Sequence, residues 1–178
     1  MYPTQLNTER LILRKIALSD VDFVFGYASD PEVTTYVAWP SPATREDTRA
    51  HVADMLESWD SNECFEYLII RSSDSVPVGA ISLVAEDHSV TIGYVIAKPF
   101  WGNGYATEAA RQIVSLALAQ KEIFRVWTVV DTEHPASAKV LEKIGMECEG
   151  ILRRWRIRLN LDPHIPRDSY CYSIVKKT

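Results

Sequence analysis

The chain has 178 residues, 47% of them apolar and 24% charged, with a formal net charge of −5. That balance suits one domain able to bury about 70% of its unfolded surface, and it excludes disordered, collagen-like and coiled-coil classes. The negative charge matches neither nucleic acid nor an anionic membrane surface, and no apolar run approaches the roughly 18 residues of a membrane span.

The start, Met1-Tyr2-Pro3-Thr4-Gln5, lacks the basic-then-apolar pattern of a signal peptide. Cys64, Cys148 and Cys171 are odd in number and widely spaced, so they read as small apolar residues in a reducing compartment. His51, His88, His134 and His164 show no metal-ligand spacing, and no metal site is expected. The expectation is one cytoplasmic domain spanning residues 1–178.

In chain order, Leu11-Ile12-Leu13 predicts a short strand. Ser19 is placed to cap a helix with Val21, Val24, Phe25 and Ala28 on one face, which Asp30-Pro31 ends. Val37–Pro42 reads as a stiff loop carrying Trp39. From Thr44 a second helix aligns Val52, Met55, Leu56 and Trp59. The period then changes. Phe65–Arg71, Val78–Ala85 and Val90–Ile96 are rich in Ile, Val, Leu and Tyr, and the short polar turns between them predict an antiparallel meander.

A glycine-containing loop leads into a helix built on Ala106, Ala109, Ala110, Ile113 and Ala117. Phe124–Val130 is apolar enough for a central strand. His134-Pro135 opens a further helix with Val140, Leu141 and Ile144 inward and Gly145 past its end. Two late strands near Glu149–Leu159 and Ser169–Lys176, joined by a Pro-rich loop, close an α+β domain around a mixed, largely antiparallel sheet flanked by helices.

The most informative stretch is Tyr94-Val95-Ile96 followed by Trp101-Gly102-Asn103-Gly104-Tyr105-Ala106-Thr107. A strand enters, two glycines turn the chain, and a helix begins, where unpaired backbone N–H groups under the positive end of the macrodipole suit a phosphate. The simpler reading is a glycine turn capping a buried helix. No Gly-Lys-Ser/Thr follows, and Thr107 stands where a dinucleotide fingerprint needs its third glycine.

This loop resembles the acyl-CoA pyrophosphate loop, Gln/Arg-x-x-Gly-x-Gly/Ala, of the GNAT N-acetyltransferases. Gly104 and Ala106 match it, and Trp101 stands at the Gln/Arg position, as in the branch that acetylates ribosomal-protein N-termini. Thr8-Glu9-Arg10-Leu11-Ile12-Leu13-Arg14 and Asp30-Pro31-Glu32-Val33 are similar to that branch too. So is Asp131-x-x-His134-Pro135-Ala136-Ser137 leading to Val140-Leu141-Glu142-Lys143-Ile144-Gly145-Met146, with His134 in place of the usual Asn and Met146 in place of Phe. The resemblance covers roughly residues 6 to 175.

The resemblance implies a sheet splayed at the acyl-CoA site and direct attack of an amine on acetyl-CoA in a ternary complex. Tyr94, Val95 and Ile96 would present backbone to the pantetheine, Trp101 through Thr107 would hold the pyrophosphate, and His134 would lie beside the pantetheine arm. The family's usual tyrosine acid is replaced by Leu141. Ser137 stands where that branch has a serine that assists the thiol; as a first-turn helix residue it could instead only bond backbone. The branch's glutamate falls at Arg156. As bases there remain Glu66, Glu86, Asp87 and His88, each better read as a solvated residue.

An enzyme without an evident base suits a weakly basic acceptor, a peptide α-amine or small-molecule amine. Deprotonation at pH 7 costs about 1–1.4 kcal/mol for an α-amine and about 4.6 kcal/mol for a lysine. Arg153, Arg154, Arg156 and Arg158 are the densest positive cluster, and on a regular strand Arg154, Arg156 and Arg158 share a face opposite Trp155, Ile157 and Leu159. That face is either an anion site for the acceptor or, as the favoured reading, a solvated surface with local ion pairs. Tyr36 and Trp39 are candidates to line the acceptor slot. A non-catalytic CoA-binding sensor or assembly module on the same fold, and a nucleotide-phosphate binder, are the competing readings. The assembly state is open, a homodimer included.

Overall fold

The computed structural model describes residues 2–177. Eight strands form one sheet: β1 (Gln5–Asn7), β2 (Leu11–Lys15), β3 (Cys64–Arg71), β4 (Val76–Ala85), β5 (Ser89–Ile96), β6 (Arg125–Asp131), β7 (Glu147–Arg158) and β8 (Asp162–Val175). Their order is β1-β2-β3-β4-β5-β6-β8-β7, antiparallel throughout except for β5 against β6. The helices are α1 (Val21–Ala28), α2 (Pro31–Thr34), α3 (Arg45–Asp60), α4 (Tyr105–Leu118) and α5 (Pro135–Lys143). The expected α+β architecture, the meander and the helix–strand–helix that follows it are all present. None of the helices is long and apolar enough to cross a membrane among the described residues.

Period-two alternation divides the core between the two faces of the sheet. Phe65, Tyr67, Ile69, Ile81, Leu83 and Ile92 point to one face, where Ala109, Ala110, Ile113 and Ala117 of α4 cover them. Those alanines let the helix approach closely. On the other face Ile16 and Ala80 pack with Val21, Val24 and Tyr27 of α1 and Val52 of α3. The α3 start is a reciprocal cap in which Thr44 Oγ1 accepts the Asp47 N–H at 3.2 Å and Asp47 accepts the Thr44 N–H at 2.8 Å.

Three local expectations differ from the structure. Ser19 does not cap α1. Residues Leu18–Asp20 form a single 3-10 turn, and buried Asp20 accepts the Ala17 N–H at 2.8 Å and both terminal nitrogens of Arg14 at 2.6 and 2.8 Å. Asp30-Pro31 ends α1 but also begins α2, because Asp30 accepts the Glu32 N–H at 2.9 Å and proline suits a first helical position. The Pro-rich segment is no loop: the β7–β8 turn lies near residues 159–161, and Pro163 and Pro166 stand inside β8. They are tolerated because β8 pairs with β6 only from Ser169 onward, and the stretch before it has a neighbour on one side only.

Candidate active site

Strands β5 and β6 pair only at Ser89–Arg125, Val90–Val126 and Thr91–Trp127. Beyond that point β5 runs on to Ile96 against β4 alone, and β6 runs on to Asp131 against β8 alone. Two facing strand edges are left without each other's hydrogen bonds, which is the splay expected from the sequence. Gly93 lies two residues past the last pair, and a Cβ there would meet Ser82 Oγ at 3.2 Å. Glu86 anchors the closed end, accepting from Ser89 Oγ at 2.5 Å, Thr91 Oγ1 at 2.8 Å and Trp127 Nε1 at 3.1 Å. Asp87 and His88 are exposed turn residues, as expected.

At the open end the chain turns into α4. Gly102 and Gly104 both have φ of +78°, and Gly104 is the residue that precedes the first helical turn. Glu108 is the first whose N–H finds a backbone acceptor, the Gly104 carbonyl at 3.1 Å. The N–H groups from Gly102 to Thr107 have none among the described residues, so they are available to an anion under the positive helix end. Arg10 adds fixed charge. It donates to the Asn103 carbonyl at 3.1 Å and to Glu108 at 2.7 Å, and its Nη2 lies 3.6 Å from where a Gly104 Cβ would stand. Burial opposes ionisation of Glu108, but its bonds to Thr8 and Arg10 overcome this and hold its pKa below the usual range. Arg10 lay in a motif of the sequence without an assigned role, and Glu108 was not singled out there.

One open cavity of about 1790 Å³ runs from this loop along the splay into a chamber between the sheet and the segment from α2 to α3. Of the residues expected at the donor site, Tyr94, Val95, Ile96, Trp101, Gly102, Gly104, Tyr105, Ala106, Thr107, His134 and Ser137 all line it. Asn103 does not. Its amide turns back to the Phe100 and Trp101 carbonyls at 3.0 and 3.1 Å. The Trp101 indole N–H closes on the Ile96 carbonyl at 2.7 Å, so the loop uses it internally. The Val95 side chain packs toward α1 and α3, leaving its backbone at the crevice.

Across the crevice, Tyr94 on β5 meets Ser137 on α5, hydroxyl to hydroxyl at 2.8 Å. Burial pushes the Tyr94 phenol up to about 12, against a smaller opposing effect of the Ser137 bond, so it remains protonated at neutral pH. The His134 ring stacks on Tyr36 with centroids 4.7 Å apart. Its burial lowers its pKa, opposed by Asp131 and reinforced by Arg158, so it is neutral. Asn160, in the β7–β8 turn, fixes the loop above by donating to the Thr34 and Trp39 carbonyls at 2.8 and 3.1 Å and accepting the Ser41 N–H at 3.0 Å.

Two expectations about charge are corrected. Glu66 is not a solvated strand residue: it lines the chamber, its carboxylate makes no hydrogen bond or ion pair among the described residues, and burial raises that carboxyl to about 7. The alternating face of arginines does not form either. The β7–β8 register slips between Leu152 and Arg156 and Arg154 has φ of +50°, so Arg154 turns aside to the Pro166 carbonyl at 3.1 Å. Arg156 and Arg158 line the cavity, and Arg158 is buried.

The family model for the acetyltransferase (GNAT) domain matches residues 10–147. The chain is 30% identical to the uncharacterized N-acetyltransferase YoaA of Bacillus subtilis, over 99% of this chain and 98% of that protein. It is similar in structure to a GNAT-family acetyltransferase from Bacillus anthracis, with a TM-score of 0.84 at 28% identity over 96% of this chain and 98% of the other. The ribosomal L7/L12 α-N-protein acetyltransferase RimL, solved with coenzyme A, shares the fold with a TM-score of 0.84 at 19% identity over 98% of this chain and 97% of the other. With the splayed sheet and the glycine loop in place, these matches show that the chain belongs to the GNAT family and is an N-acetyltransferase.

Proposed function

We propose that the protein transfers the acetyl group of acetyl-CoA to a primary amine, a peptide α-amine or a small-molecule amine, by direct attack in a ternary complex. The observation that carries this reading is the continuity of a single cavity. It joins the free N–H groups at α4, the unpaired edges of β5 and β6, and a chamber lined by Glu66, whose carboxylate has no partner among the described residues. The donor's pyrophosphate fits the glycine loop beside Arg10, and its pantetheine arm fits the splay, where unpaired strand backbone meets it as a neighbouring strand would.

Glu66 then serves as the proton acceptor that the sequence left unassigned. The amine gives it a proton and attacks the thioester carbonyl; the C–N bond forms, the C–S bond breaks, the leaving thiolate takes a proton from Ser137, and the second proton lost from the nitrogen restores the Ser137 hydroxyl. A carboxyl near 7 is matched to an α-amine of pKa about 7.7–8.0 far better than to a lysine near 10.4. Thiol release from acetyl-CoA with short peptides tests this. Peptides with a free α-amine should exceed N-blocked peptides carrying only lysine in kcat/KM at neutral pH, whereas equal use of both rejects it.

A further inference from the structure

Arg158 is 4% exposed, yet among the described residues its side chain makes no hydrogen bond and only a long ion pair with Asp131. Its Nε has no hydrogen-bond partner among the described residues, and Asp131 Oδ2 stands at 3.5 Å, beyond a good N–H···O bond. That oxygen is already held by Arg167 Nε at 2.8 Å. Buried guanidinium donors are normally satisfied, because leaving them unpaired forfeits their hydration without return. This guanidinium borders the cavity that also holds Ser137 and His134, and Arg156 borders it as well.

We propose that Arg158, with Arg156 beside it, forms a carboxylate-binding subsite, so that the acceptor is a primary amine bearing a carboxylate, an amino acid or a short peptide with a free C-terminus. This rests on the reading of the cavity as the acyl-transfer site. The donor cannot supply the anion there. Its pyrophosphate belongs under the glycine loop, and the pantetheine arm and acetyl thioester carry no charge. Local charge selects a monoanion over a phosphate dianion: Arg156, Arg158 and Arg167 against Asp131 and Glu133 leave a single net positive charge.

The test uses the full chain with acetyl-CoA, alanylglycine, its C-terminal amide, and O-phosphoethanolamine as a phosphate-bearing amine. The acid should exceed the amide by about 10–100-fold in kcat/KM, the range for one charged hydrogen-bonded contact. In Arg158→Gln that ratio should collapse toward one. Arg156→Gln, at an exposed position, should reduce it several-fold and serves if the buried variant does not fold. Equal use of acid and amide, or a ratio that survives both variants, overturns the subsite. So does an equal fall in turnover of both peptides, which would assign Arg158 to the reaction's oxyanion, and so does preference for O-phosphoethanolamine. Binding of each peptide to the native protein by calorimetry separates the two levels of the argument. If neither peptide is acetylated, the proposed reaction fails, while tighter binding of the acid upholds the subsite and equal binding overturns it.

Discussion

The hydroxyls of Tyr94 and Ser137 stand 2.8 Å apart, and the Tyr94 hydroxyl also lies 3.1 Å from the Ser137 carbonyl, tying strand β5 to helix α5 across the crevice. A phenol raised to about 12 is a donor and never a competing anion at neutral pH, so it fixes the Ser137 hydroxyl without taking its proton permanently. Ser137→Ala should therefore lower kcat by about 10²–10⁴-fold with acetyl-CoA affinity barely changed. If the hydroxyl only bonds its neighbours, the variant loses about 1 kcal/mol of stability and keeps its rate. Steady-state kinetics, cofactor affinity and a melting curve on the one variant distinguish these outcomes, and Tyr94→Phe should show a smaller loss in kcat.

Gly104 occupies a left-handed conformation with φ of +78°. Gly104→Asp costs about 1–2 kcal/mol of backbone strain and sets a carboxylate where the donor's phosphate would lie, within reach of Arg10. Acetyl-CoA should raise the melting temperature of the native protein, because it binds the folded state alone, and should leave that of the variant unmoved. An unchanged shift in the variant removes the phosphate role from this loop.

The raised carboxyl of Glu66 makes rate and stability move in opposite directions with pH. Tyr27 on α1, His51 on α3, Cys64 on its own strand and Ser82 on β4 line the same chamber, and none supplies a fixed positive charge at neutral pH. Its folded pKa of about 7 lies above the unfolded value of about 4.3, so the folded state holds the proton more tightly. The Glu66 contribution to stability is then fully present below pH 4.3 and is lost at up to about 1.4 kcal/mol per pH unit until pH 7, while kcat/KM climbs as the base ionises near pH 7. Glu66→Gln should remove this component of the stability profile, flatten the rate profile near pH 7 and lower kcat/KM. Chemical denaturation and kinetics across pH 4 to 9 check this, and a variant with the native rate profile rejects the base.

Asp131 has no exposed side-chain surface and is shared by Arg167 and Arg158. Burial favours its protonation, but the Arg167 hydrogen bonds outweigh this and hold its pKa low. Asp131→Asn strands Arg158 without a counter-ion and should cost about 3 kcal/mol. Adding Arg158→Met should recover part of that loss, since an uncharged pair of similar volume no longer buries a lone charge. Urea titration of both variants measures the coupling, and strictly additive losses refute it.

Short-range chemistry was readable along the chain. The period change from α3 to the meander, the alanine face of α4, the two glycines before it and the proline opening α5 each report a local dihedral or periodicity, and each lies where it was expected. Family motifs carried the splay and the loop, though the sequence could not show that Asn103 turns back on its own loop or that the Trp101 indole is consumed by Ile96. The slip in β7 was invisible as well, because alternation on paper assumes an unbroken ladder, and one bulge redirects every following side chain. Only packing decided what charge means. Glu66 and Arg158 look like ordinary surface residues in sequence, and they become chemically distinctive because α1 and α3 enclose the first and strands β6 to β8 enclose the second. Burial and the absence of a partner depend on residues distant in the chain, and it is there, not in the residue type, that the proposed proton acceptor and anion site arise.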